Sequence, residues 1–123
     1  MVSRQDLKHG QVAAGIVLEH KVFDRERLGY STMDDIELQR EVLGLFATQL
    51  KETRDQLKTK DISAQDRKFM SHNLRGAASA VGALQIEELA RSWENVNYDS
   101  AVLNALLEQA ETAFLLETKV IFA

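Results

Sequence analysis

The chain has 123 residues, of which 45% are hydrophobic and 28% charged, and it contains no proline and no cysteine. This length and composition are typical of one globular domain, and the absence of proline favours helices. Fifteen Lys and Arg against nineteen Asp and Glu give a net charge of −4, which argues against a nucleic-acid-binding role. Without cysteine, the chain can form neither a disulfide nor a Cys-ligated zinc site.

No apolar run reaches the roughly 20 residues that a membrane span needs. The first residues also lack the charged-then-apolar layout of a secretion signal. We therefore expect a cytoplasmic protein with no membrane insertion.

The N-terminal part of the chain has no clear hydrophobic period. We expect residues 1–22 to form an arm that is loosely ordered or packs late, and residues 23–123 to form the folded domain. In the stretch "FDRERLGY", Asp24 is a candidate N-cap for one turn of helix and Gly29 a candidate stop.

A long helix is predicted over about residues 34–58. Its start carries a capping signal, because Asp34 can accept hydrogen bonds from first-turn amides and Glu37 follows three residues later. One apolar stripe runs along it at helical spacing, formed by Leu38, Val42, Leu45, Phe46, Leu50 and Leu57.

Three further helices follow the first long one. Ser63 and Asp66 predict the start of a helix over 64–81, and Gly82 predicts its end. The stretch "ALQIEELARSWENV" has the pattern of the next helix, and Asp99 or Ser100 caps the last one. This order predicts an all-α fold, an antiparallel up-down four-helix bundle with a short extra N-terminal helix.

The helix over 64–81 carries a histidine on the face opposite its core. At about 100° per residue, with Leu74 at the centre of the buried stripe, His72 lies at about 160°. The same polar face holds Gln65, Lys68, Arg75, Gly76 and Ser79. Position alone favours a plain surface histidine over a functional one.

Gly76 and Arg75 give this histidine a chemical context. Gly76 makes the helix about 1 kcal/mol less stable than alanine would, and it clears the space over the imidazole one turn away. Arg75 offers a fixed fork of donors for an anionic group. Phosphoryl transfer fits these residues, because an imidazole nitrogen can act as the nucleophile while cations stabilise the phosphoryl oxygens.

Other chemistries have less support. A metal site needs three or four ligands, whereas His72 has no His, Asp or Glu three or four residues away on its helix. A hydrolytic triad needs a nucleophile and an orienting acid, and the sequence identifies neither.

The run His72-Asn73-Leu74-Arg75-Gly76, followed by Gly82, resembles the signature of histidine-containing phosphotransfer (HPt) domains, H-x-x-[K/R]-G with a glycine six residues later. The stretches "DIELQREVLGLFATQL" and "GALQIEELARSWE" resemble the family's helices before and after the active one. The likeness covers about residues 23–121. Family members more often have lysine at the position of Arg75 and a small apolar residue at that of Ser71.

The resemblance implies that His72 carries a phosphoryl group between receiver-domain aspartates in a multistep phosphorelay, with Arg75 stabilising it and Gly76 providing access. The implied partners are response-regulator receiver domains and a hybrid sensor histidine kinase. No ATP-binding signature is present, so we expect a carrier without autokinase activity and without a cofactor. Magnesium would belong to the partner receiver domain.

Four residues near His72 are candidate partner contacts: Gln65, Lys68, Phe69 and Ser79. For Phe69, packing within the bundle is equally open. Two other functions also stay open, a non-phosphorylated HPt-like module that binds a receiver domain or a histidine kinase, and a small metal-binding or scaffolding bundle.

Overall fold

A computed structural model describes residues 21–59 and 61–122, and the part of the predicted arm over 1–20 lies outside the described residues. The described chain is all-α. Its helices are α1 (Arg25–Thr32), α2 (Ile36–Thr59), α3 (Ala64–Val81), α4 (Leu84–Asn95) and α5 (Ser100–Thr118), followed by a 3-10 turn (Lys119–Phe122). None of these helices is long and apolar enough to cross a membrane.

Both ends of α3 and the start of α5 lie where the sequence predicts them. The Ser63 hydroxyl accepts a hydrogen bond from the Asp66 amide at 3.0 Å. Gly82 adopts the left-handed conformation, with φ of 76°, that ends a helix. The Asp99 carboxylate accepts from two first-turn amides of α5, at 2.9 and 3.3 Å.

Two predictions about the connection between α1 and α2 are wrong. Gly29 does not end α1, which continues to Thr32 and is capped by Met33 with φ of 53°. Asp34 is itself left-handed, with φ of 58°, and its carboxylate fills the space that a Cβ on Gly29 would need. Asp35 is the cap of α2 instead, accepting from the amides two and three residues on at 3.0 and 3.2 Å.

The predicted apolar stripe of α2 also contains one error. Leu45 is 64% exposed, whereas Leu43, outside the predicted stripe, is 5% exposed. At about 100° per residue, Leu45 lies about 140° from the buried Leu50, and Leu43 lies only about 20° from it.

The core lies between the four longer helices. Helix α3 packs on α2 and α4, helix α5 packs on α2 and α4, and α1 covers α2 and α3. Phe114 of α5 lies edge to face with Phe23 and Phe46, at centroid distances of 5.5 and 5.7 Å. Such pairs add about 0.5–1.5 kcal/mol to the stability gained from burial alone.

A short extended segment before α1 fixes the joint between α3 and α4. The Asp24 amide donates to the Gly82 carbonyl oxygen at 2.8 Å, and the Leu84 amide donates to the Val22 carbonyl oxygen at 3.0 Å. A Cβ at position 82 would overlap the backbone of Asp24. Glycine is therefore required there both by its φ angle and by the close approach of this segment.

Candidate functional site

The His72 side chain lies on the solvent side of α3 and is 70% exposed. Its neighbours on the opposite side of the helix, Ser71 and Leu74, are both fully buried. The Ser71 hydroxyl donates to the Lys68 carbonyl oxygen at 3.3 Å, so this buried polar group is satisfied within its own helix. The imidazole thus projects into solvent from a helix whose other face is held in the core.

One nitrogen of the imidazole is close to two groups of opposite charge. His72 Nδ1 lies 3.5 Å from Arg75 Nη2 and 3.5 Å from Glu94 Oε2. The last two atoms are 3.3 Å apart, which completes a triangle of close contacts. Within the described parts of the chain, no group lies at hydrogen-bond distance from Nε2. The contacts of the imidazole with the described residues are thus made through Nδ1.

Glu94 belongs to α4, and residue spacing along α3 does not predict its place beside His72. Its backbone is anchored, because Arg67 Nη1 of α3 donates to the carbonyl oxygens of Trp93 at 3.3 Å and Glu94 at 2.8 Å. The Trp93 side chain is buried in the core. These contacts hold the end of α4 against α3, at the level of the histidine.

A signal for Glu94 is present in the sequence. His72 precedes Gly82 by ten residues, and Glu94 follows it by twelve. At 1.5 Å per residue, these positions are roughly 15 and 18 Å along their helices from the joint. Because α3 and α4 pack side by side from the joint at Gly82, two residues at similar distances from that joint lie next to each other.

The clearance predicted at Gly76 is present. A Cβ built on Gly76 meets no atom within 4 Å apart from its own helix. The glycine forms part of a surface groove with a volume of about 230 Å³, lined by His72, Arg75, Gly76, Ser79, Glu87 and Arg91. The histidine can thus be approached along α3 from the side of its own next turn.

Ion pairs and a hydrogen bond connect the residues that line this groove on the side away from His72. Arg27 Nη1 of α1 donates to Glu87 Oε1 at 2.9 Å and to the Ser79 hydroxyl at 3.4 Å. Glu87 also pairs with Arg91 at 3.3 Å. Ser79, a predicted partner contact, is therefore also a link between α3 and α1.

The remaining predicted contact residues lie on the same side of α3, in different surroundings. Phe69 is 68% exposed, so the alternative in which it packs inside the core is wrong. Lys68 lines a second groove of about 330 Å³ together with His72, Glu94 and Asn95. Gln65 is exposed and lines neither groove.

The arrangement combines an accessible imidazole nitrogen, a guanidinium beside it and open space along the helix. These are the groups needed for a nucleophile that receives an anionic group. In residues 21–59 and 61–122, no three side chains of the metal-binding types come together as a possible ion site. Comparison with protein-family models, curated proteins and solved structures found no match to this chain.

Proposed function

We propose that this chain is a histidine phosphotransfer protein that carries a phosphoryl group on His72 in a multistep phosphorelay. The observation that carries the proposal is the exposed imidazole beside Arg75, with the space over Gly76 open. No kinase signature accompanies this site in the sequence. The proposed role is therefore that of a carrier, which accepts and donates the group without autokinase activity.

In the proposed reaction, Nε2 of His72 attacks the phosphorus of an aspartyl phosphate on a receiver domain. An N–P bond forms as the P–O bond to the aspartate breaks, and the electron pair leaves with the aspartate carboxylate. Transfer to the next receiver reverses these steps on a second aspartate. Both donor and acceptor belong to partner proteins, so the carrier itself supplies the nucleophile and the surrounding charge.

Arg75 is the group proposed to stabilise the phosphoryl oxygens. At an effective dielectric constant of 20, a cation 4 Å from one unit of negative charge contributes about 4 kcal/mol before desolvation and screening are subtracted. Glu94 lies 3.3 Å from the same guanidinium and reduces this attraction. The net contribution is therefore well below that figure, and Arg75 must turn from Glu94 towards the phosphoryl group to provide it.

The proposal includes the finer architecture and the partners. Contacts that join α2, α3, α4 and α5 in a ring support an antiparallel up-down four-helix bundle. The partners would be response-regulator receiver domains and a hybrid sensor histidine kinase in the cytoplasm. Magnesium would be held by the partner receiver, and the carrier would need no cofactor of its own. Phe69 and Lys68, exposed beside His72, are proposed to contact the receiver.

The test is phosphoryl transfer from a phosphorylated receiver domain to the purified chain. The wild type should gain a phosphate that survives base and is lost in acid, as expected of an N–P bond. The His72→Gln variant should gain none while keeping the helical circular dichroism of the wild type. Label that persists in His72→Gln would refute the assignment of the phosphorylated residue.

A second candidate function is an HPt-like module that binds a receiver domain or a histidine kinase without carrying phosphate. The observation in its favour is the Glu94 carboxylate 3.5 Å from the imidazole, since this negative charge opposes a phosphoryl group. Binding of such a partner to a chain that never becomes labelled would support this candidate over the carrier.

A further inference from the structure

We propose that residues 12–18, which precede the described part of the chain, dock on an apolar groove between α2 and α5. His72 lies on α3 beside α4, so the groove is on the other side of the helix ring. The inference therefore goes beyond the proposed function and does not depend on it. It assigns a binding place to the N-terminal arm that the sequence predicts.

The groove is formed by apolar side chains of the two helices and of the 3-10 turn that follows α5. Its floor includes the core residues Phe46 and Phe114, and its sides include Ala47, Leu115 and Phe122. Leu115 and Phe122 are 50% and 53% exposed. Exposed apolar side chains around a groove are typical of a binding surface.

The polar groups that line the groove already have partners within the protein. Glu111 accepts a hydrogen bond from Arg54 Nη1 at 2.8 Å, and the Thr118 hydroxyl donates to the Phe114 carbonyl oxygen at 2.9 Å. A segment that fits this groove must therefore be apolar and uncharged. Residues 12–18 meet that requirement, because their sequence VAAGIVL has four large aliphatic side chains and no charge.

The size of the groove favours a tethered segment over a separate protein. Its volume is about 100 Å³. A cavity of about 150 Å³ holds a benzene molecule, so this groove has room for one aliphatic side chain. Burial of one such side chain changes an equilibrium constant by only about 10- to 100-fold, which does not compensate for the freedom that a second molecule loses on binding. A segment of the same chain avoids that loss, because its tether keeps it at an effective concentration of about millimolar.

The described chain begins close enough to the groove for this segment to reach it. The ring of Phe23 lies 5.5 Å from the ring of Phe114, which forms part of the groove floor. The four residues from Leu18 to Val22 can span up to about 14 Å. A helix with its side chains is about 10–12 Å across. The segment can therefore pass over α5 and enter the groove.

The first experiment traps the docked segment with a disulfide in the full chain. The protein has no cysteine, so each introduced thiol is unique. One cysteine is placed in the groove as Ala47→Cys. A second cysteine replaces, in turn, each large aliphatic residue of the segment: Val12, Ile16, Val17 and Leu18. The rate of intramolecular disulfide formation in oxidised glutathione is followed by mass spectrometry.

The matched control moves the groove cysteine by one residue, as Thr48→Cys. Thr48 is exposed on the same helix, about 100° round from Ala47, and is not among the residues that line the groove. An undocked arm would reach both positions equally often, because the tether is the same. At least one Ala47→Cys pair should form its disulfide about tenfold faster than the matching Thr48→Cys pair, since a disulfide needs its two Cα atoms within about 7 Å. Equal rates, or disulfide-linked dimers as the main product, would overturn the inference, and the dimers would identify a second copy as the occupant.

The second experiment weakens the groove without changing the core. Leu115→Ser and Leu116→Ser each replace an exposed leucine, but only Leu115 lines the groove. Leu115→Ser should slow disulfide formation in the fastest Ala47→Cys pair by about fivefold, because docking buries the exposed half of this side chain. Leu116→Ser should leave the rate unchanged. Equal rates in the two variants would contradict docking at this groove.

Circular dichroism of every variant checks that the helices are retained. The phosphoryl-transfer assay on His72 is a separate measurement, made on the other side of the bundle. A chain that forms the Ala47→Cys disulfide but accepts no phosphate would refute the proposed function and support the docked arm.

Discussion

Leucine at position 76 should leave the fold intact while it blocks the approach to His72. The structure provides a matched control, because Gly44 is also an exposed glycine inside a long helix whose added Cβ would meet no atom within 4 Å. Gly44 lies on α2 and borders neither groove at the histidine. Comparing Gly76→Leu with Gly44→Leu therefore separates the effect on the helix from the effect on access.

Both substitutions should stabilise the protein by a similar amount. Replacing a helical glycine by leucine removes a penalty of roughly 0.5–1 kcal/mol, because the side chain restricts the unfolded backbone. For a domain of this size, this corresponds to a rise in melting temperature of about 2–6 °C. Thermal unfolding followed by circular dichroism measures this change and shows that each variant is folded.

The two variants should differ in phosphoryl transfer. Reaction requires the phosphorus and the attacking nitrogen to approach within about 3–3.5 Å, and a displacement of about 1 Å can cost a hundredfold in rate. The leucine of Gly76→Leu extends into the groove beside the ring, so transfer from a phosphorylated receiver should fall by about that factor. Gly44→Leu should transfer at the wild-type rate. A folded Gly76→Leu variant with wild-type transfer would refute the access argument.

Two further predictions concern stability and charge. Gly82→Ala should lower the free energy of unfolding by at least about 1–2 kcal/mol in denaturant titrations, because alanine is strained at this φ and its Cβ displaces the Asp24 backbone; an unchanged midpoint would contradict this. The hydrogen bond from Lys51 at 2.9 Å lowers the pKa of Asp55, so Lys51→Met should raise the NMR titration midpoint of this carboxylate. The pair's stabilisation is present above the unfolded-state pKa and is lost as the pH falls through the lower folded value. A midpoint that does not move in Lys51→Met would show that the pKa shift has another cause.

Helix ends were predictable from the sequence where one residue determines them. Ser63, Gly82 and Asp99 each satisfy or terminate a helix through their own chemistry, and all three are confirmed. The predictions for Gly29 and Asp34 are wrong because the conformations of these two residues depend on their contact with each other. The aspartate folds back over the glycine, so α1 continues past the apparent stop and the cap moves to the next residue.

Some features of the candidate site could likewise be predicted from one helix, whereas others depend on how two helices pack. The exposure of His72 and the open space over Gly76 follow from positions on one helix, which angles of 100° per residue describe well. Glu94 could not be found by that method, because its contact with the imidazole depends on how α4 packs on α3. The prediction of the buried face of α2 is limited in a similar way, because Leu43 is buried and Leu45 is exposed. Residue spacing predicts that a helix has an apolar stripe, but it does not determine which residues lie at the centre of that stripe.

Arg67 holds α4 through the main-chain carbonyl oxygens of residues 93 and 94. Every amino acid has such a carbonyl group, whatever its side chain. The residue type at position 94 can therefore change in the course of evolution without disturbing the register of the two helices. Proteins with this architecture can acquire a carboxylate, an amide or an apolar group beside the histidine by a single substitution. The chemical surroundings of the imidazole can then vary separately from the packing of α3 and α4.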